Sequence, residues 1–393
     1  MSICLQFQKE IKMSLFDISL NEIKKRGLQK DENNLDYLIE LFKQDLEPDI
    51  KREIVSSIGR QKNNKKIYQF IHQEAFKKHY MEVIYQMFRT CLYKAKEDKN
   101  FANLRDELLA HYDNEVMQKM FDFYNFKQNK KQKQKETIKQ ITKPSLLIGD
   151  NRLSLGKIKN NQINLIFTSP PYYNARLYSD YTSYKAYLKA MQESLKQCYR
   201  ILEDGRFIII NVSPVITKRV GREFESIRYP IHFDFHQILV ESGFYFIDEI
   251  LWIKPEYSVP NRVAGYLQTK MPLSYKPNCI SESLMVYRKN SPFLLDKNIK
   301  NYDKSLKNDD ELDSTNCWYI SPKADKNHPA VFPEELCKRV LKYYSFKGDV
   351  VCDPFAGSGT FGRVARSMGR IPLLCEANEK YAEKLRIGGF SEI

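Results

Sequence analysis

The sequence predicts an α/β domain built on a mostly parallel sheet with helices on both faces, preceded by an all-α region. Three observations carry this. Short apolar runs alternate with helix-like stretches from Ile141 onward. The first 126 residues hold few glycines and repeat their apolar residues at three- and four-residue steps, as at Leu35, Leu38, Ile39 and Phe42. Between the two regions lies KQNKKQKQKETIKQ (127–140), with six lysines and no aromatic residue, the composition of a solvated linker or helix extension.

The expected organisation is a helical domain over 1–126, a Lys-rich linker over 127–144 and a catalytic domain over 145–393. A chain of 393 residues suits two or three domains. Within the helical region three segments resemble one another: Glu53-Ile54-Val55 with Ile58-Gly59-Arg60, Glu82-Val83-Ile84 with Met87-Phe88-Arg89, and Glu115-Val116-Met117 with Met120-Phe121-Asp122. Their spacings of 29 and 33 residues resemble helix-pair repeats of the HEAT type. In the second region strands are expected at Ser145–Ile148, Ile163–Phe167, Phe207–Val212, Phe244–Trp252, Leu284–Tyr287, Val350–Cys352 and Pro372–Cys375. Helices are expected at Tyr184–Ile201, Asp234–Ser242 and Pro333–Tyr344. Residues 289–327 are polar and show no element.

Lys and Arg outnumber Asp and Glu by 63 to 49, a net charge of +14, which favours a polyanionic partner. None of the eight cysteines forms a C-x-x-C pair, so neither zinc nor a dithiol site is expected. Cys352 and Cys375 read as buried strand residues, and Cys279 as a strand residue. No apolar run approaches the roughly 18–20 residues of a membrane span and no signal-peptide pattern stands at the N-terminus. A cytoplasmic protein with reduced thiols is the expectation.

Two segments carry chemistry. Asp353-Pro354-Phe355-Ala356-Gly357-Ser358-Gly359-Thr360 follows an apolar run and precedes a helix-compatible stretch. Glycines there let a ligand approach the backbone, and free N–H groups at a helix start hold polar groups. Nineteen residues beyond Gly357, Glu376 closes the apolar run 371–375, where an acid can accept hydrogen bonds from ribose hydroxyls. The second segment is Thr168-Ser169-Pro170-Pro171-Tyr172-Tyr173, directly after the run 164–167. Two prolines cannot extend a central strand. They stiffen the backbone where ligands sit in open α/β sheets.

Together these segments resemble the amino methyltransferases of DNA. DPFAGSGT looks like the family's cofactor loop and Ser169-Pro170-Pro171-Tyr172 like its catalytic motif. Leu147-Ile148-Gly149-Asp150 resembles the strand and acid at the cofactor's adenosine end. Leu202-Glu203-Asp204-Gly205-Arg206 is similar to the family's LKPGG turn, Ile250–Lys254 to its W-x-K strand, and His328–Pro333 to its HPxxFP segment, in which Phe332 would be a cofactor wall and Pro333 suits a helix start. The catalytic motif precedes the cofactor loop, as in the permuted β arrangement.

The resemblance implies a Rossmann-like methyltransferase sheet, S-adenosylmethionine as cofactor, no metal, and double-stranded DNA as partner. It implies cofactor contacts from Asp150, Phe332, Asp353, Phe355, Gly357, Ser358, Gly359, Thr360 and Glu376, and catalysis by Ser169, Pro170, Pro171 and Tyr172. The Ser169 hydroxyl and the Pro170 carbonyl are the candidate acceptors for the amino hydrogens, and Tyr172 the candidate platform for a flipped base. A serine before Pro-Pro goes with N4 of cytosine in this family. Adenine N6 is the alternative, and a catalytically idle DNA-binding protein is the alternative of another class. Target recognition is expected within 255–327, with Tyr257, Arg262, Tyr266, Lys270, Tyr275, Lys276, Arg288, Lys289, Lys297, Trp318 and Tyr319 as candidate contacts. The loop Lys218–Arg222 is a further candidate phosphate contact. His232 and His236, four apart on a helix, could ligate a metal that the reaction does not need. The helical region could dock a protein partner or a second copy. The biological setting implied is bacterial restriction–modification, with the protein on the nucleoid when acting.

Overall fold

A computed structural model describes residues 19–129, 140–173, 181–216, 223–224, 227–259, 272–273, 277–289, 313–322 and 332–393. The chain divides into two compact units, residues 1–134 and 135–393.

The first unit is helical: α1 (Leu20–Arg26), α2 (Glu32–Phe42), α3 (Pro48–Gly59), α4 (Asn64–Glu74), α5 (Met81–Lys94), α6 (Lys99–Tyr112) and α7 (Glu115–Asn129). Local chemistry sets the starts. Ser19, Asp31, Asn63 and Asp98 accept hydrogen bonds from backbone N–H groups of the first turns of α1, α2, α4 and α6, and Pro48 opens α3. The apolar stripes then meet: Leu35, Leu38 and Phe42 pack with Ile54, Val55, Ile58, Val83, Ile84, Met87, Phe88, Leu104 and Met117 in one core. The three self-similar segments fall on α3, α5 and α7, and α5 packs against both α3 and α7. Gly59 permits the close approach of α3 to α5, because a Cβ there would stand 2.8 Å from the Thr90 side chain. α7 extends through the start of the Lys-rich segment to Asn129.

The second unit is a nine-stranded sheet. Its strands are β1 (Ser145–Ile148), β2 (Ile163–Thr168), β3 (Leu202–Val212), β6 (Phe244–Ile253), β7 (Ser281–Lys289), β8 (Cys317–Tyr319), β9 (Val350–Asp353), β10 (Ile371–Glu376) and β11 (Ser391–Glu392). A separate two-stranded ribbon joins β4 (Val215–Ile216) to β5 (Arg228–Tyr229). The spatial order is β11-β1-β10-β9-β2-β3-β7-β6-β8. Within this nine-stranded sheet, among the described strands, only β7 runs against its neighbours. Alternation along β2 explains the layering. Ile166 faces a core shared with α9 (Tyr184–Ile201) and α10 (Ile231–Glu241). Leu165 and Phe167 face a core shared with α11 (Glu334–Tyr344) and α12 (Thr360–Ser367). On that second side α13 (Glu379–Ile387) covers Leu146 and Leu374. The short helix α8 (Asn151–Ser154) follows β1.

Four expectations are corrected. The stretch 289–327 contains β8, which pairs with β6 in parallel through Leu251–Cys317, Trp252–Trp318 and Ile253–Tyr319. Trp318 is buried in the core rather than open to a nucleic acid. Cys279 lies in the segment before β7, not in a strand. Pro333 precedes α11 as its N-cap. Residues 218–222 and most of 255–327, including Arg262, Tyr266, Lys270, Tyr275, Lys276 and Lys297, lie outside the described residues, as do 328–331.

Candidate active site

β2 and β9 lie side by side at the middle of the sheet, paired at Leu165–Val351 and Ile166–Cys352. The helix that follows β9, α12, packs on one face, and the helix that follows β2, α9, packs on the other. Parallel neighbours whose connections leave to opposite faces open a crevice at their carboxyl ends. Both sequence motifs begin at this crevice.

On the β9 side, Asp353 is buried and its Oδ1 accepts two hydrogen bonds, from Thr168 Oγ1 at 2.7 Å and from the Phe355 N–H at 3.0 Å. Burial pushes the Asp353 carboxyl up to about 7, against the downward pull of those two bonds. The turn that follows needs glycine. Gly357 and Gly359 have φ of 52° and 74°, and a Cβ at Gly359 would stand 2.3 Å from Leu385 Cδ2. Gly359 caps α12, and Thr360 is buried as its first residue. Ser358 Oγ lies 3.2 Å from Thr360 Oγ1, while Arg363 donates to the Ser358 carbonyl and to Thr360 Oγ1.

Glu376, at the end of β10, grips the same turn. Its Oε2 accepts the Gly357 N–H at 2.7 Å and its Oε1 the Asn378 N–H at 2.8 Å. Burial raises its carboxyl above the ordinary glutamate range, with the backbone donors opposing. The motif therefore joins Gly357, Gly359, Asp353 and Glu376 into one cradle. Asn151, absent from the sequence expectations, fastens it: Nδ2 donates to the Pro354 carbonyl at 2.8 Å and Oδ1 accepts from Ser194 Oγ at 2.7 Å.

Asp150 and Phe332 behave differently from the rest of the expected cofactor set. Asp150 caps α8, and its carboxylate is engaged by the Arg152 guanidinium, which holds it below the ordinary range. Phe332 stacks on Phe167, with centroids 4.6 Å apart and planes at 21°, and packs against the core beneath α11. Phe355 is half-buried against the opposite core.

On the β2 side, Ser169 Oγ donates to the Asn211 carbonyl at 3.1 Å. Its proton is thereby engaged while oxygen lone pairs stay available to a donor. Pro170 is buried and Pro171 half-buried. The half-buried Tyr172 donates its hydroxyl to Glu282 Oε2 at 3.0 Å. Burial foremost, and then the Glu282 carboxylate, holds this phenol well above its ordinary range, so it remains a donor. Asn211 Nδ2 donates to the same Oε2, and Lys254 pairs with Oε1. Lys254 also lies 4.5 Å over the Trp252 ring. Lys254 had a sequence signal in its W-x-K strand. Asn211 and Glu282 had none, being strand residues whose partners are remote in sequence.

Of the candidate DNA contacts, Tyr257 and Tyr319 are exposed. Lys289 is buried and donates to Asn161 Oδ1 and the Leu202 carbonyl, and Arg288 is half-buried. His236 on α10 shares a 2.6 Å hydrogen bond with the Tyr287 hydroxyl. Among the described residues no group of three or more His, Cys, Asp or Glu is placed to hold a metal, and no helix is long and apolar enough to cross a membrane.

A doubly wound sheet with a glycine turn, an acid at the end of the adjacent strand and a Pro-Pro segment facing them across the switch point is the frame of a nucleotide-cofactor-binding α/β domain. Residues 163–386, more than half of the chain, match the DNA methylase model of the N6/N4 methyltransferases, and the chain belongs to that family. It is similar to the type II beta methyltransferase M.BslI of Bacillus sp. (strain NEB-606), with 27% identity over 61% of this chain and 27% of that protein. It is similar also to M.BglII of Bacillus subtilis, with 25% identity over 60% of this chain and 66% of that one. The matched region thus spans about a quarter of the first relative and just under two thirds of the second. A solved putative DNA modification methylase from Thermus thermophilus aligns at 25% identity over 63% of this chain and 98% of that one, with a TM-score of 0.46.

Proposed function

We propose that the protein transfers a methyl group from S-adenosylmethionine to N4 of a flipped-out cytosine in double-stranded DNA, in a type II restriction–modification setting. The observation that carries this is the placement of Ser169 and Tyr172 across the switch point from the Asp353 cradle. The cradle fits the cofactor, because its turn is closed to any side chain at Gly359 and an acid stands at the end of the adjacent strand. When bound, S-adenosylmethionine supplies an electrophilic methyl group on a sulfonium.

The chain's own residues do the rest. Gly357, Ser358, Gly359 and Thr360 present the turn, Asp353 and Glu376 offer carboxylates to the cofactor, and Phe332, Phe355 and Asp150 border it. An exocyclic amine is a weak nucleophile because its lone pair is delocalised into the ring. Acceptors aimed at its hydrogens localise that pair and stabilise the positive charge that develops on nitrogen. Ser169 Oγ suits this, since its proton already lies on the Asn211 carbonyl, and the Pro170 carbonyl is the second acceptor. Pro171 stiffens the motif and Tyr172 stacks on the extruded base.

Incubation with mixed-sequence duplex DNA and methyl-labelled S-adenosylmethionine, followed by digestion to nucleosides, tests this. N4-methylcytosine is expected. N6-methyladenine would retain the class and overturn the base, and cofactor binding without labelled DNA would favour an idle DNA-binding protein.

For the helical unit the proposed arrangement is a stack of HEAT-type helical repeats in which α3, α5 and α7 are the recurring helices. Its support is the recurrence on α3, α5 and α7. Such a stack offers a face to a protein partner or a second copy. Light scattering of the full chain separates those two.

A further inference from the structure

Glu282 sits on β7, opposite Trp252 of β6 and beside the register pair Val212–Ser283 of β3. Because β7 runs against its neighbours, its first residues reach the same edge of the sheet as the carboxyl ends of β2, β3 and β6. Both carboxylate oxygens are engaged. Oε2 accepts from the Tyr172 hydroxyl and from Asn211 Nδ2, and Oε1 pairs with Lys254. Through Asn211, whose carbonyl accepts from Ser169 Oγ, one side chain touches both halves of the catalytic motif.

We infer that Glu282 is a positioning residue for methyl transfer: it anchors the Tyr172 ring by its hydroxyl and fixes Asn211, and through it Ser169, in the orientation that receives the target base. The inference rests on the reading of the site as a DNA amino methyltransferase. A tyrosine has two side-chain torsions, and a hydrogen bond at the far end of the ring restrains both. A stacking platform held in advance loses little freedom when the base arrives, and a fixed acceptor need not reorganise as charge develops. Lys254 balances the carboxylate charge, so the anchor does not place an unpaired anion beside the cofactor crevice. The hydroxyl is a donor in this arrangement, consistent with a phenol held well above its ordinary range.

The test is steady-state methylation of duplex DNA by the full chain and by Glu282→Gln, Tyr172→Phe and the double variant. Glu282→Gln is expected to lower kcat about 10- to 100-fold and to leave the KM for S-adenosylmethionine within about twofold. In the Tyr172→Phe background the same substitution should cost at least about fivefold less, the coupling of residues that act through one hydrogen bond. Glu282→Gln also strands Lys254, so Lys254→Met/Glu282→Gln, which retires both charges, serves as the folding control. A kcat loss that persists while its melting temperature matches the wild type supports positioning. A wild-type kcat in Glu282→Gln, or losses that simply multiply in the double variant, overturns the inference and leaves the proposed function intact. Cofactor binding by the wild type with no methylated DNA overturns both.

Discussion

Thr168 and Asp353, at the carboxyl ends of the neighbouring strands β2 and β9, share a buried 2.7 Å hydrogen bond. It ties the strand that leads into the catalytic motif to the strand that leads into the cofactor turn. The bond steadies a carboxyl that burial pushes up to about 7. Removing the hydroxyl withdraws a donor from the ionised form more than from the neutral one. Thr168→Val should therefore lower stability by about 1–3 kcal/mol at pH 8 and by less at pH 5. Thermal unfolding at the two pH values checks it, and an equal loss at both would sink the argument.

Asp353→Asn separates stability from function. The folded-state pKa of about 7 lies above the ordinary value of 3.8, so the native protein binds the extra proton between them. Stability falls as pH rises through that window and stays reduced above it. The amide never ionises and still offers Thr168 and the Phe355 N–H an acceptor. The variant should gain up to about 4 kcal/mol relative to wild type at pH 8, and little near pH 4. It should at the same time bind S-adenosylmethionine more weakly, having lost an anion beside a sulfonium. Unfolding and calorimetric titration read the two effects, and a variant that loses stability at pH 8 would refute the sign.

Gly359→Ala should destabilise the cofactor turn on two counts. Its φ of 74° is unfavourable for alanine, and the new Cβ would meet the buried Leu385 at 2.3 Å. A loss of about 2–4 kcal/mol is expected, with weakened cofactor binding. Gly348→Ala is the matched control. Its φ is 83° but no atom lies within 4 Å of the added Cβ, so backbone strain of about 1 kcal/mol remains alone. Similar losses in the two variants would show that contact with Leu385 contributes nothing.

Much of the frame was legible because it is local. The helix Tyr184–Ile201 and the strand Ser145–Ile148 fall on the residues that their apolar patterns mark, and the glycine turn declares itself in one unbroken run of adjacent residues. β8 was not legible: three residues inside a polar stretch become a strand only by pairing with β6 some 66 positions earlier, as Leu251 with Cys317. Trp318 reads as exposed for the same reason, since a tryptophan inside a polar stretch looks open to solvent until its strand is placed. Glu282 and Asn211 were missed because their meaning lies in contacts 110 and 71 residues distant. Asp150 is legible only through the resemblance of Leu147–Asp150 to a family segment, which carries no signal of the Arg152 two residues on that holds its carboxylate.

Ser169→Ala is the variant that most directly addresses the chemistry. The Ser169 hydroxyl touches the Asn211 carbonyl at the half-buried edge of the site, so its removal leaves one carbonyl short of a donor and should cost no more than about 1–2 kcal/mol of stability. The hydrogen bonds that hold the cradle run among Asp353, Thr168, Phe355, Gly357 and Glu376 and do not pass through Ser169, so cofactor affinity should stay within about twofold. The rate should not stay. If the hydroxyl oxygen accepts from the target amino group as charge develops there, its loss removes one preorganised partner of the transition state, an effect of about 10²–10³ in kcat. Single-turnover methylation of duplex DNA at saturating cofactor measures this without interference from product release. A rate within tenfold of wild type would assign the activation to the Pro170 carbonyl and leave Ser169 as a strut for Asn211.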